Sequence, residues 1–274
     1  MLEFQLKGEC AVPFSAYQNE VEGASSALCI VHGVGEHFTR YQEMADMLGA
    51  RGYNVYGMDL YGHGTSPGSR GYIGSREDFC GQITALVEYA ASRMKGKPVF
   101  LMGHSLGGLL VLYYRLKFPD CLVRGFALCS PWLGLTHTYS QSDIRDFQKI
   151  VDADPLAVHD TDISPKKLFT REKDRKIPRD PTMHPYIAYK NLLERLADIE
   201  TVFEYAHEKR RDTYIFVGSE DPICDIQKTM EWAKRQGEGC TVRVWEGLKH
   251  EPWNEPSRAE VIGELADWLD KTRR

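Results

Sequence analysis

Short apolar runs that end in glycine or a polar residue alternate along this chain with segments whose apolar positions recur at helical spacing. Such alternation predicts βαβ units around a parallel sheet. The strands fall at Ala27–Val31, Tyr53–Met58, Val99–Met102, Gly125–Cys129, Thr213–Val217 and Thr241–Trp245. Leu2 to Tyr17 reads as a leading antiparallel pair. Between strands, Tyr41, Met44, Ala45 and Leu48 share one helical face that stops at Gly52, and Phe79, Ile83, Leu86, Val87 and Ala90 share another. Ser75 with Asp78, and Ser257 with Glu260, have the spacing of a capping box at a helix start. From about Leu133 to Ile199 the alternation breaks, with several prolines and no convincing strand. We read that stretch as a helical insertion roofing the carboxyl ends of the strands, where open α/β sheets bind ligands. The sequence shows no internal repeat and no low-complexity tract.

Length and charge narrow the class. The chain has 274 residues, 42% hydrophobic and 27% charged, with Lys+Arg 34 against Asp+Glu 39. One domain with an insertion accommodates that length, and the mildly acidic balance offers no footprint for nucleic acid. Seven scattered cysteines (Cys10, Cys29, Cys80, Cys121, Cys129, Cys224, Cys240) cannot all pair within one chain, so we expect reduced thiols and a cytoplasmic protein. Neither a secretory leader nor an apolar segment of about 18 residues is visible. Peripheral contact with a membrane needs only an apolar or amphipathic patch and stays compatible with this.

Chemistry enters at Gly103-His104-Ser105-Leu106-Gly107, between the run Val99–Met102 and the apolar helix pattern of Leu109, Leu110, Leu112 and Tyr113. A strand, a G-x-S-x-G turn and a helix make a nucleophile elbow, whose glycines let backbone approach while the turn lifts Ser105 Oγ clear of the sheet. Serine is a weak nucleophile until a base takes its proton, so a carboxylate and a histidine should follow in the order Ser, Asp, His. Of nine histidines, His250 alone lies in a loop beyond a late strand, whereas His207 reads as a surface residue. Asp221, just past Thr213–Val217, is the preferred acid. Its bland reading is a turn-forming residue before Pro222, Asp225 competes with it, and Asp212 lies at the wrong end of the strand. The loop after Ala27–Val31 and the residue after the nucleophile supply the oxyanion donors in such an elbow, which assigns the backbone N–H groups of Val34 and Leu106. His32, His104, Asp59 and His63 read as structural residues of the turns they occupy.

With these residues in place, a family resemblance appears. H-G-V-G-E-H-F-T-R-Y from His32, D-L-Y-G-H-G-T-S from Asp59, G-H-S-L-G-G from Gly103, G-S-E-D-P-I-C-D from Gly218 and H-E-P-W-N-E-P from His250 resemble the monoglyceride lipase and lysophospholipase branch of the α/β-hydrolases, the serine aminopeptidase S33-like group. The resemblance implies an α/β-hydrolase fold, with a mostly parallel sheet, helices on both faces and a helical cap between the sixth and seventh strands. It also implies a serine esterase acting on monoacylglycerols or lysophospholipids, Ser105, Asp221 and His250 as its triad, no cofactor, and Cys224 close to the site. The corresponding domains are a core of residues 1–132 and 200–274 and a cap of 133–199.

The cap departs from the branch, because Lys166 to Arg179 holds seven basic residues against Glu172 and Asp174, a local balance of +5. Such a run is a solvated loop or an approach to anionic headgroups. Trp132, Leu133, Leu135 and Phe147 are candidates for an apolar acyl wall, with cap core as their alternative role. Metal and nucleotide sites are not expected, since H-E-x-x-H, paired C-x-x-C and G-x-x-x-x-G-K-[ST] are all missing. Two rivals to the lipid esterase stand: a general carboxylesterase on short-chain esters, and a ligand receptor built on a hydrolase scaffold.

Overall fold

The computed structural model describes residues 1–9, 12–170, 180–207 and 211–274. Strands β1 (Leu2–Leu6) and β2 (Phe14–Asn19) pair antiparallel, as expected, and lead into the repeating unit. That unit runs β3 (Ser26–Val31), α1 (Gln42–Ala50), β4 (Tyr53–Met58), α2 (Arg76–Met94), β5 (Val99–His104), α3 (Leu106–Lys117) and β6 (Val123–Cys129). An insert follows, with α4 (Gln141–Ala153), β7 (Val158–Asp160), α5 (Pro165–Leu168), β8 (Tyr186–Ala188) and α6 (Tyr189–Glu204). The core resumes with β9 (Thr213–Gly218), α7 (Ile226–Gln236), β10 (Cys240–Trp245) and α8 (Arg258–Thr272).

Eight strands form one sheet in the order β1-β2-β4-β3-β5-β6-β9-β10, parallel from β4 to β10. Alternation along β3 explains the layers: Cys29 and Val31 face the core under α2 and α3, while Leu28 and Ile30 face the core under α1 and α8. Strand order reverses between β3 and β5, whose ends lie side by side at Val31 and Gly103. That crevice, beyond the carboxyl ends of the strands, is where an open sheet of this kind takes its ligand.

Helix α2 carries the expected capping box, with Ser75 Oγ accepting from Asp78 N (3.2 Å) and Asp78 Oδ2 from Ser75 N (2.7 Å). At α8 the expectation fails. Ser257 has ψ 13°, not the extended backbone that aims a cap hydroxyl, and its carbonyl, not its side chain, accepts from Glu260 N (2.9 Å). The insert also differs from its reading, since β7 and β8 pair antiparallel. Strands of three residues are too short for alternation to register. Helix α6 continues to Glu204 and packs on both α3 and α4, so a boundary at 199 runs through a helix.

The six cysteines among the described residues are free thiols; Cys10 lies outside them. No helix among the described residues is long and apolar enough to cross a membrane. Of the basic run Lys166 to Arg179, positions 171–179 lie outside the described residues.

Asp59 is the hub of its turn, accepting from Phe38 N (2.8 Å), Thr65 N (2.9 Å) and Tyr17 Oη (2.8 Å). His63 is buried beside it, its ring 5.3 Å from His32 and 4.7 Å from His184. Burial, reinforced by those two neighbours, holds its pKa well below the ordinary histidine value. The unfolded chain therefore takes up a proton at this position before the folded one does. Stability contributed by neutral His63 is present above the unfolded value and is lost as pH falls through the folded one. His104, whose pKa is raised, acts in the opposite direction. Accordingly, the difference in Tm between wild type and His63→Gln should narrow as pH drops from about 8 to about 5.5. A difference that stays constant across that range would contradict this reading.

Candidate active site

Ser105 sits between β5 and α3 with φ 52° and ψ −118°, a left-handed backbone that a side-chain-bearing residue adopts only where its surroundings impose it. Here they do. A Cβ on Gly103 would lie 2.3 Å from the Gly107 carbonyl, and one on Gly107 would lie 2.2 Å from that of Val31, so only glycine fits at either end. Ser105 N donates to Cys129 O (3.0 Å) and Trp132 N to Ser105 O (2.9 Å), which lock the turn to the end of β6 and the segment after it.

His250 lies in the loop after β10 and is buried. Its Nδ1 is 2.8 Å from Asp221 Oδ2. Asp221, past the end of β9, uses Oδ1 to accept from Ile223 N (2.8 Å) and Cys224 N (3.0 Å), so its orientation is fixed from both sides. Burial opposes ionisation of Asp221, but His250 and the two backbone donors outweigh it and hold the carboxyl below its ordinary value. With Nδ1 donating to that carboxylate, Nε2 is left as the acceptor a general base needs. The competing acids have other work. Asp225 caps α7 by accepting from Gln227 N (2.8 Å), and Asp212 pairs with Arg124 (2.6 Å) at the opposite end of β9. His207 is exposed.

Val34 lines the cavity described below, and Leu106 is the first residue of α3, where the N–H has no acceptor within the helix. Cys224 is buried with its thiol against the Ser105 side chain. Burial, then the nearby Asp221 carboxylate, pushes that thiol well above its ordinary pKa, which the Ser105 contact opposes. Donor atoms of Asp221, Cys224 and His250 lie within 4.8 Å of one another. Two of the three are spent on a mutual hydrogen bond, and a thiol held protonated is a poor ligand.

Beneath the site lies a charged network that sequence reasoning missed. Glu36 Oε1 accepts from Gly33 N (2.6 Å), His104 Nδ1 (2.7 Å) and Tyr41 Oη (3.0 Å), while Oε2 pairs with Arg40. Arg40 in turn grips both oxygens of Glu251 at 2.7 Å, next to His250, and His104 Nε2 lies 3.3 Å from the His250 carbonyl. One buried carboxylate thus ties the Val34 loop, the elbow and the His250 loop together. Burial disfavours charge on His104, yet Glu36 raises its pKa above the ordinary value; Glu36, also opposed by burial, is held well below its own by His104 and Arg40. The spacing of Glu36 and Arg40, four apart, was the available signal.

Ser105 and His250 open on a cavity of about 1050 Å3. Its core side is formed by Gly33, Val34 and His104, and its apolar wall comes from the insert, through Ile163, Pro165, Leu168, Phe169, Met183 and Pro185. Trp132, Leu133, Leu135 and Phe147 do not line it. Trp132 and Leu133 are buried in the core, Leu135 packs against that core and bridges to Cys224, and Phe147 belongs to an aromatic cluster with Tyr139, His159 and Tyr189 at 5.0–5.7 Å. All four pack in or against the core, not on the cavity wall. Glu255 fastens the wall to the His250 loop, accepting from Lys249 N (3.0 Å) and Thr170 N (2.9 Å).

Comparison with known proteins agrees with this fold. The chain is 29% identical over 254 residues to phospholipase YtpA of Bacillus subtilis (strain 168), covering 90% of this chain and 95% of that protein. It is 28% identical over 239 residues to the monoglyceride lipase of Homo sapiens, covering 83% and 76%. Among solved structures, a monoacylglycerol lipase from Paleococcus ferrophilus superposes with a TM-score of 0.82 at 26% identity, over 94% of this chain and 99% of that one. The family described as serine aminopeptidase, S33, matches residues 23–257. Fold and sequence agree, and the chain belongs to the serine aminopeptidase, S33, family of α/β-hydrolases, on the branch of the lipases and esterases it resembles.

Proposed function

We propose that the protein hydrolyses carboxylic esters of lipids, monoacylglycerols or lysophospholipids, through a covalent acyl-enzyme. The observation carrying this is that a strained Ser105 and an Asp221-buttressed His250 open on one largely apolar cavity. Ser105 Oγ attacks the ester carbonyl while His250 Nε2 takes its proton, and the N–H groups of Val34 and Leu106 hold the developing oxyanion. Collapse of the tetrahedral intermediate expels the alcohol, which receives its proton from His250. Water, deprotonated by the same histidine, then releases the fatty acid. Asp221 keeps His250 in the required tautomer throughout, and no cofactor takes part. The insert is the face that would meet a lipid surface.

A cavity at the upper end of the range for small-molecule sites suits a long acyl chain. Purified protein should therefore cleave p-nitrophenyl esters from acetate to palmitate with kcat/KM rising into the medium or long chains, and should turn over monoacylglycerols repeatedly. A maximum at acetate would assign it instead to short-chain carboxylesterases. Release of one product equivalent per protein, without turnover, would favour a receptor.

A further inference from the structure

We propose that Lys166 and Lys249 form an anion subsite at the catalytic cavity, selecting lipid esters whose alcohol carries a phosphate monoester over neutral monoacylglycerols. The inference deepens the lipid-ester reading and rests on it. Lys249 immediately precedes His250 and Lys166 lies on α5, so one cation comes from the catalytic side and one from the insert, both on the cavity wall. Lys249 Nζ donates to the Lys166 carbonyl (3.0 Å), which turns the ammonium group toward α5 and leaves two of its three donors available. Among the described residues neither lysine pairs with a carboxylate, whereas the adjacent Lys167 is held by Asp162 at 2.7 Å.

Among the described residues, every acidic group on the same wall is already committed. Glu36 and Glu251 are bound to Arg40, and Glu36 also to His104. Asp180 contacts His37 Nε2 at 2.6 Å and accepts from Thr182 through both its N–H (2.9 Å) and its hydroxyl (2.5 Å). Among the described residues, the uncommitted charge facing the cavity is therefore positive. Beside it stand Leu168 and Phe169, so apolar wall and paired cations adjoin, as an amphiphile with an anionic head requires. Two ammonium groups match a phosphate dianion, with its three oxygens, better than a hydroxyl head, and the adjoining apolar wall strengthens the attraction. The phosphate would remain on the alcohol that leaves when Ser105 is acylated.

The test uses the full chain with octanoyl lysophosphatidate and monooctanoylglycerol, both below their aggregation concentrations, and reads the ratio of their kcat/KM values. Wild type should favour the phosphate ester. The Lys166→Met, Lys249→Met double variant should lower the ratio about tenfold, the scale of one charge-assisted contact, mainly through KM. The double arginine variant should retain most of it, and raising salt should erode it, as for exposed charges. Because Lys249 neighbours His250, the exposed Lys166→Met alone should also lower the ratio, in a protein with unchanged melting behaviour. A ratio identical in wild type and the methionine variants overturns the subsite while leaving the lipid-ester reading intact. So does a preference that appears only when anionic phosphatidylglycerol vesicles are added, which would place the basic groups against a membrane surface. If wild type cleaves neither lipid ester, both readings fall.

Discussion

Ser105→Ala is expected to leave a folded protein whose ester hydrolysis is lower by on the order of 10⁶ in kcat, the loss measured when a serine hydrolase is deprived of its nucleophile. The fold should survive because the elbow is held by backbone: Ser105 N on Cys129 O, and Trp132 N on Ser105 O. Alanine meets the same constraint at φ 52° as serine, so the strain at this position is not increased. What disappears is the oxygen that forms the acyl bond. Alanine at 105 with a tenth of wild-type rate would mean that another group carries the chemistry, and the elbow would be a turn with an idle serine.

The second large effect separates two aspartates four positions apart. In Asp221→Asn the side-chain oxygen can still accept from Ile223 N and Cys224 N, so the loop should hold its shape. Its amide then faces His250 Nδ1, which must accept rather than donate, and the proton moves to Nε2. That tautomer cannot serve as base, and the same change in a serine protease triad costs about 10⁴ in kcat. Asparagine at 225, by contrast, keeps a side-chain oxygen for Gln227 N and remains a good helix cap. Asp225→Asn should therefore be close to wild type in rate and in stability. The opposite ranking would show that the 2.8 Å contact between Asp221 and His250 is not the one that supports turnover.

How far the residues themselves announced this site depends on the physical range of each signal. β4 falls at the bounds that hydrophobic pattern predicts, Tyr53–Met58, and the Ser75 and Asp78 capping box closes as its spacing implies. Both are local, set by side-chain period and by groups three residues apart. The elbow is local too, since Gly103 and Gly107 are required by contacts within one strand-turn-helix unit and its immediate neighbour β3. Non-local features were illegible. Arg40 meets Glu251 across 211 positions, and Glu255 reaches back to Thr170 across 85, with no periodicity to mark either pair. The acyl wall failed for a related reason. Apolar side chains at Trp132, Leu133, Leu135 and Phe147 are equally consistent with core and with cavity, and only the path of the insert decides that Leu168 and Phe169 are the ones that face Ser105. Ser257 shows the converse, a spacing that fits a capping box on a backbone that does not adopt its geometry.

The central claim is that Ser105 becomes covalently acylated. Its most direct test is reaction of the purified protein with a fluorophosphonate, in which Ser105 Oγ displaces fluoride from phosphorus, followed by intact-mass and peptide mass spectrometry. Wild type should gain one adduct per chain, located on the peptide containing Ser105, with loss of hydrolysis in proportion to labelling. Ser105→Ala should gain none. An adduct elsewhere in the chain, or full labelling of Ser105 with hydrolysis undiminished, would contradict the account.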